Sequence, residues 1–79
     1  PGSIVFYSRL RSPRDVTVQH LWYRGTQLQQ TVDLQIRANL GRGYRTYSRR
    51  TVERGSGAWR VELRSRDGAL LHEERFDVR

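Results

Sequence analysis

The 79-residue sequence contains no cysteine, so neither a disulfide nor a thiolate-bound metal can staple its fold. No apolar run approaches the roughly 20 residues that a membrane-spanning helix requires, and we expect no integral membrane segment. A chain of this length has room for one domain only. Its core must therefore come from ordinary packing, for which two tryptophans, two phenylalanines and four tyrosines supply large rings. We interpret residues 1–3 as a cloning remnant and residues 4–79 as that single domain.

Lysine is missing as well: all 15 basic side chains are arginine, and with eight acidic residues the formal net charge is +7. The absence of lysine has two interpretations. One is the codon bias of a GC-rich genome, which we favour; the other is recognition of carboxylate, phosphate or sulfate by the planar guanidinium group. The excess of positive charge is present under either interpretation, and it predicts attraction to polyanions.

A helical hydrophobic stripe is the third absence. Apolar residues recur with a period of two instead, which predicts half-buried strands joined by short turns. The alternation is clearest over 32–36 and 59–63. A glycine-rich stretch over 39–43 predicts a flexible loop, and the Asp67-Gly68 pair predicts a hairpin turn. The predicted strands cover residues 4–10, 16–24, 27–37, 44–51, 59–64 and 69–78.

Six short strands with turn signals between them favour a small immunoglobulin-like antiparallel β-sandwich of about six to seven strands, with a closed barrel as the alternative. We expect Trp22 and Trp59 in the core, one in each sheet. The last strand breaks the alternation because Leu71 and Phe76 lie five residues apart, which predicts a bulge between them. Cross-strand charge pairs are predicted between two groups of residues: Arg60, Glu62 and Arg64, and Glu73, Glu74 and Arg75.

Four short motifs occur in order along the chain. Residues 20–25 read His-Leu-Trp-Tyr-Arg-Gly, residues 45–48 read Arg-Thr-Tyr-Ser, residues 57–61 read Gly-Ala-Trp-Arg-Val, and the Asp-Gly turn precedes a strand that contains Phe76. In this order and spacing the sequence resembles the DUF2914 family, although Tyr44 and Tyr47 stand where that family often has tryptophan. The resemblance implies a bacterial β domain of unknown function, found as an accessory segment of larger and often membrane-anchored proteins. It therefore favours the cell envelope, on the periplasmic side.

Residues for catalysis are sparse. Ser48, His20 and Asp33 could in principle form a hydrolase triad, but no nucleophile elbow, carboxylate pair or phosphate-binding loop accompanies them. We expect His20 to be a core histidine hydrogen-bonded to the backbone, and the chain not to be an enzyme. His72 and the scattered carboxylates lack metal-ligand spacing, so no metal and no cofactor are expected.

An aromatic and basic segment around the fourth strand is the candidate binding site. If these side chains face solvent, the rings could stack on a sugar or base while the guanidinium groups pair with anions. The competing interpretation, which we favour, is a solvated basic edge that discourages aggregation between sheets. The candidate ligand- or partner-binding residues are Tyr44, Arg45, Tyr47, Arg49, Arg50 and Arg54.

These observations predict a non-enzymatic interaction module. Its expected partner is another protein or another domain of its parent chain, contacted through an edge strand or a sheet face. The alternative is recognition of an anionic polymer, such as an acidic glycan or a nucleic acid, through the arginine and tyrosine side chains. Charge is the only feature that favours nucleic acid, because no sequence signature of a nucleic-acid-binding fold is present.

Overall fold

The computed structural model describes residues 2–79, which form six β-strands and no helix. Pro1 lies outside the described residues, whereas Gly2 and Ser3, also interpreted as a cloning remnant, belong to the first strand. Within residues 2–79 there is accordingly no helix long and apolar enough to cross a membrane. The strands are β1 (Gly2–Ser12), β2 (Val16–Arg24), β3 (Gln27–Ile36), β4 (Asn39–Val52), β5 (Gly57–Ser65) and β6 (Leu70–Val78).

The strands build a sandwich of two antiparallel sheets, which confirms the predicted fold class. A small sheet pairs β1 with β4, and a larger sheet has the order β3-β2-β5-β6. Tight turns at Gly25 and Gly68, both with positive φ, close the β2–β3 and β5–β6 hairpins as their sequences predict. The β1–β4 pair is different because its strands lie far apart in sequence, and local turn chemistry does not determine its register.

The core lies between the two sheets and is filled from both sides by alternating side chains. Trp22 and Trp59 are both buried, but the prediction of one in each sheet is wrong, because β2 and β5 are neighbours in the larger sheet. The small sheet supplies Phe6, whose ring meets Trp22 edge-on at 6.5 Å between centroids. The buried apolar residues are Phe6, Val18, Trp22, Ile36, Val52, Trp59, Val61 and Leu63.

The predicted bulge in the last strand exists, but it lies at Leu71 and not between Leu71 and Phe76. Leu63 pairs with His72 while Arg64 pairs with Leu70, so Leu71 is the extra residue. From His72 onward the register with β5 is regular, so His72 and Phe76 lie on the same face by alternation. That face stays largely open here, because the opposing sheet has only two strands, and the His72 side chain is 57% exposed.

The stretch 39–43 was expected to be a flexible loop, and this prediction is wrong. It is the first part of β4, where Asn39 pairs with Ser12 and the extra residues 40–43 of β4 lie between this pair and the Leu10–Tyr44 pair. The Asn39 Oδ1 atom accepts hydrogen bonds from the backbone N–H groups of Gly41 (2.9 Å) and Gly43 (3.3 Å). The asparagine side chain thus orders the glycines that made the segment look mobile in sequence.

Candidate functional site

The outer surface of the small sheet carries a cluster of basic and aromatic side chains. Inward positions of β1 and β4 pack on the core, so by alternation the intervening residues face solvent. We call the outward cluster the arginine–tyrosine face; it consists of Tyr7, Arg9, Arg45, Tyr47 and Arg49, all exposed.

The two tyrosines of this face lie directly opposite each other on neighbouring strands. Their ring centroids are 5.8 Å apart, and the ring planes are tilted by 43°. Tyr7 is 63% exposed and Tyr47 is 55% exposed. The rings contact each other while most of their surface meets solvent, so together they form one exposed apolar patch.

Next to the tyrosines, Arg9 lies directly opposite Arg45. Like charges in directly opposed cross-strand positions destabilise a sheet. No acidic residue occurs anywhere in β1 or β4 to relieve the repulsion, and within residues 2–79 neither arginine enters an ion pair. A shallow cavity of about 400 Å³ lies between Tyr7, Arg9 and Arg45. Two guanidinium groups are therefore available to a ligand at the edge of this cavity.

The larger sheet also has opposed arginines, but there they form ion pairs with glutamates. Arg60 faces Arg75 there, but Arg60 contacts Glu62 (3.1 Å) and Glu73 (3.5 Å), and Arg75 contacts Glu73 (3.3 Å). The cross-strand pairing predicted for this region is thus present between Arg60 and Glu73. Two details differ from the predicted pairing: the buried Glu62 pairs with Arg60 and Arg64 of its own strand, and Glu74 lies on the opposite face of β6. The larger sheet pairs its outward arginines with glutamates, and the small sheet leaves its outward arginines exposed.

The six residues proposed from the sequence divide into three groups. Arg45, Tyr47 and Arg49 lie together on the outward face, whereas Arg54 is in the exposed turn after β4. Tyr44 and Arg50 point to the inner side of β4 and are half-buried. Arg50 Nη1 donates to Gln30 Oε1 (3.2 Å), and its guanidinium lies 6.0 Å from the Trp59 ring centroid. Arg50 thus joins β4 to the larger sheet and faces the interior of the sandwich.

Two members of the face, Tyr7 and Arg9, were absent from the sequence prediction. Their signal was present in β1, because they alternate with Phe6 and Ser8 and therefore point away from the core. What was missing was the pairing of β1 with β4. That pairing brings Tyr7 to Tyr47 and Arg9 to Arg45, which are 40 and 36 positions apart, and no local turn specifies it.

A second polar cluster lies inside the sandwich and centres on His20, which is completely buried. Its Nδ1 atom is hydrogen-bonded to Ser48 Oγ (2.6 Å) and its Nε2 atom to Ser8 Oγ (2.9 Å). Trp22 Nε1 donates to the same Ser48 hydroxyl at 3.0 Å. The expectation of backbone partners is thus wrong, because serine side chains of the small sheet satisfy both ring nitrogens. The cluster joins the two sheets through hydrogen bonds in the core.

The cluster lacks the geometry of a hydrolase. Asp33 lies on the outer face of the larger sheet, where it accepts a hydrogen bond from Gln19 Nε2 (2.8 Å), so it cannot orient His20. Burial lowers the pKa of His20 to about 4, and the imidazole is neutral at pH 7. Across residues 2–79, no three histidine, aspartate or glutamate side chains converge as metal ligands. What the structure shows of this cluster is a set of hydrogen bonds that joins the two sheets.

Comparison with known proteins gives a match to one family model, described as "Protein of unknown function (DUF2914)", over residues 15–78. The matched span contains strands β2 to β6, and with them His20, Trp22 and Ser48. These three residues come from two separate sequence motifs and meet in the buried cluster. No curated protein and no solved structure matches the chain.

Proposed function

Since the chain belongs to the DUF2914 family, whose function is unknown, we propose its role from the geometry: it is a non-enzymatic binding module whose arginine–tyrosine face takes an acidic glycan. The observation that carries this proposal is the opposed, unpaired Arg9 and Arg45 beside the exposed tyrosine pair. As an accessory domain of a larger bacterial protein, it would meet such glycans at the cell envelope.

The arginine pair supports a ligand with carboxylate or sulfate groups. A guanidinium group offers a planar fork of donors that binds such anions in bidentate fashion. The repulsion between Arg9 and Arg45 is a local stability loss, and such losses are typical of functional positions. A bound anion between the two groups would remove that repulsion. The free energy that the repulsion costs the free domain would therefore add to the binding free energy.

The tyrosine pair favours a sugar over a single-stranded nucleic acid. Nucleic-acid platforms stack successive bases on successive aromatic side chains along the strand path. Here both rings occupy one register position, and the outward neighbours on either side are Val5 with Arg49, and Arg9 with Arg45. One apolar patch bordered by guanidinium groups suits one sugar ring with its acidic neighbours.

The test is an NMR titration of the labelled domain with an oligogalacturonide and with single-stranded DNA of equal charge, both at physiological salt. We expect saturable shifts at Tyr7, Arg9, Arg45 and Tyr47 with the oligosaccharide. Loss of one charge-assisted contact, in Arg9→Ala, should weaken binding at least about tenfold.

Arg37→Ala is the matched control, since Arg37 is exposed and follows β3, outside the face. It removes the same charge and should change affinity by less than about twofold if the attraction is local. Equal losses in the two variants would reduce the binding to general charge attraction and refute the site. Stronger binding of the DNA would mean that the ligand of this face is a nucleic acid and not a glycan.

Contact with a protein is the second candidate function, and one specific observation favours it. Among residues 2–79, no strand lies beside the edges of β1 and β6 that face each other, and apolar side chains form part of the lining of the gap between them. Unpaired strand edges of this kind accept an extended segment from a partner.

A further inference from the structure

The two sides of the sandwich are closed to different degrees. On one side β3 and β4 approach each other, and the Arg50–Gln30 hydrogen bond joins them. On the other side β1 and β6 each have a single neighbour in their sheets, and the structure, over residues 2–79, has no ladder between them. A parallel stack of Phe6 on His72, at 6.4 Å between centroids, spans this gap. We call the gap the β1–β6 seam.

The seam contains two clefts, one on each side of the Phe6–His72 stack. The first, of about 780 Å³, has an apolar floor and wall that include Leu10, Val18 and Leu71. The second, of about 560 Å³, includes Ile4, Val61 and Phe76. Both clefts run beside β1, so its free edge has apolar surface along much of its length.

An added strand beside β1 could pair with its free edge and also fill the apolar clefts. Alternate backbone groups of β1 point toward the seam without a strand partner, and they can form a ladder with an extended segment. In such a ladder, side chains opposite Phe6, Ser8 and Leu10 would enter the clefts. The intervening side chains would project outward, beside Tyr7, Arg9 and Arg11.

The charge of β1 selects the outward residues of that segment. Arg9 and Arg11 would stand directly opposite two of them, and neither β1 nor β4 contains an acidic residue. Opposite charges in cross-strand positions stabilise a sheet, and like charges destabilise it. Acidic residues therefore fit the two positions opposite Arg9 and Arg11. The other walls of the clefts carry charges of both signs, with the carboxylates of Asp15, Asp67, Glu74 and Asp77 among them, so the acidic preference is set by the β1 side.

We propose that the seam accepts an extended segment of a partner protein that alternates apolar and acidic residues and pairs with the free edge of β1. This inference rests on the second proposed function, contact with a protein, and is independent of the glycan. The segment forms a third strand in the small sheet and displaces His72 from Phe6.

The test is amide hydrogen exchange of the full chain with a synthetic peptide of about nine residues that alternates valine and glutamate, a length typical of a long strand. With the peptide at about ten times its Kd, the fraction of the domain without bound peptide falls about tenfold. Exchange of the paired β1 amides should slow by the same factor. Amides on the outer edge of β3 should not change.

Leu71→Gln probes the cleft, and Leu28→Gln is its matched control, because the two leucines are 49% and 50% exposed and Leu28 lies on β3. We expect about fivefold weaker peptide binding from the first and no change from the second. Equal effects of the two substitutions would overturn the seam as the site.

Three peptide results would overturn the inference, and they differ in what they imply for protein contact. A valine–lysine peptide that protects β1 equally well removes the acidic selectivity. Protection of β6 amides alone moves the contact to another edge and leaves the protein-contact function in place. If no peptide protects either edge, the inference and that function fail together.

Discussion

At the scale of single residues, the buried histidine determines how the domain responds to acid. His20 is neutral because burial disfavours its charged form, and its pKa falls from 6.5 to about 4. The folded state therefore resists protonation in a range where the unfolded chain accepts a proton. The contribution of this histidine to the free energy of unfolding is greatest above pH 6.5, and it is lost as the pH falls from 6.5 toward 4.

We accordingly predict that the free energy of unfolding falls with acid, by about 1 kcal/mol for the first pH unit below 6.5 and about 3 kcal/mol by pH 4. Urea unfolding at several pH values measures this. The first unit below 6.5 is the cleanest window, since most carboxylates titrate lower. His72→Asn should keep the loss because His72 is exposed. A flat stability between pH 7 and pH 5.5 would contradict the account.

Ser48 is the shared partner in the same cluster. Ser48→Ala would leave Trp22 Nε1 and one nitrogen of His20 buried without a hydrogen-bond partner, and each such loss costs about 1–3 kcal/mol. We predict a destabilisation of about 2–5 kcal/mol, measured by chemical denaturation. Ser3→Ala, at an exposed position of β1, should change stability by less than about 0.5 kcal/mol. Equal effects of the two substitutions would rule out the structural role of the cluster.

At the scale of elements, the period of two was enough to predict six strands, because every strand buries one face. The hairpins followed from Gly25 and from Asp67-Gly68. Bulges were harder, since one extra residue shifts all later side chains to the other face; the bulge at Leu71 was therefore placed too late. The order in Asn39–Gly43 depends on a side-chain cap, which composition alone does not indicate.

Gly43 gives the element-scale prediction, because it shapes β4 where this strand passes Arg9. Its φ is +91°, and a Cβ atom there would lie 2.8 Å from Arg9 Cγ and 3.2 Å from the Leu10 carbonyl oxygen. We predict that Gly43→Ala destabilises the domain by about 1–3 kcal/mol and shifts the Arg9 resonances. Gly41 has neither a positive φ nor a contact under 3.5 Å, so Gly41→Ala should be nearly neutral. Thermal denaturation compares the two, and equal Tm values would contradict the strain at Gly43.

At the scale of the whole molecule, the domain separates its charges between its two sheets. The larger sheet pairs its outward arginines with glutamates, whereas the small sheet concentrates arginine without any acid. The sequence revealed the net charge of +7 and the arginines of β4. It could not reveal that Tyr7 and Arg9 join them, because antiparallel pairing over such a separation is determined by the packed core and not by a turn.

Arg45→Glu tests the central claim most directly, because it converts a repulsive cross-strand pair with Arg9 into an attractive one. We predict that the variant is more stable than the native domain by about 0.2–1 kcal/mol and no longer binds the oligogalacturonide. Parallel denaturation and titration of this one variant measure both quantities. Greater stability with binding lost would mean that the arginine–tyrosine face is maintained for an anionic ligand. Unchanged binding would contradict the account, whatever the stability.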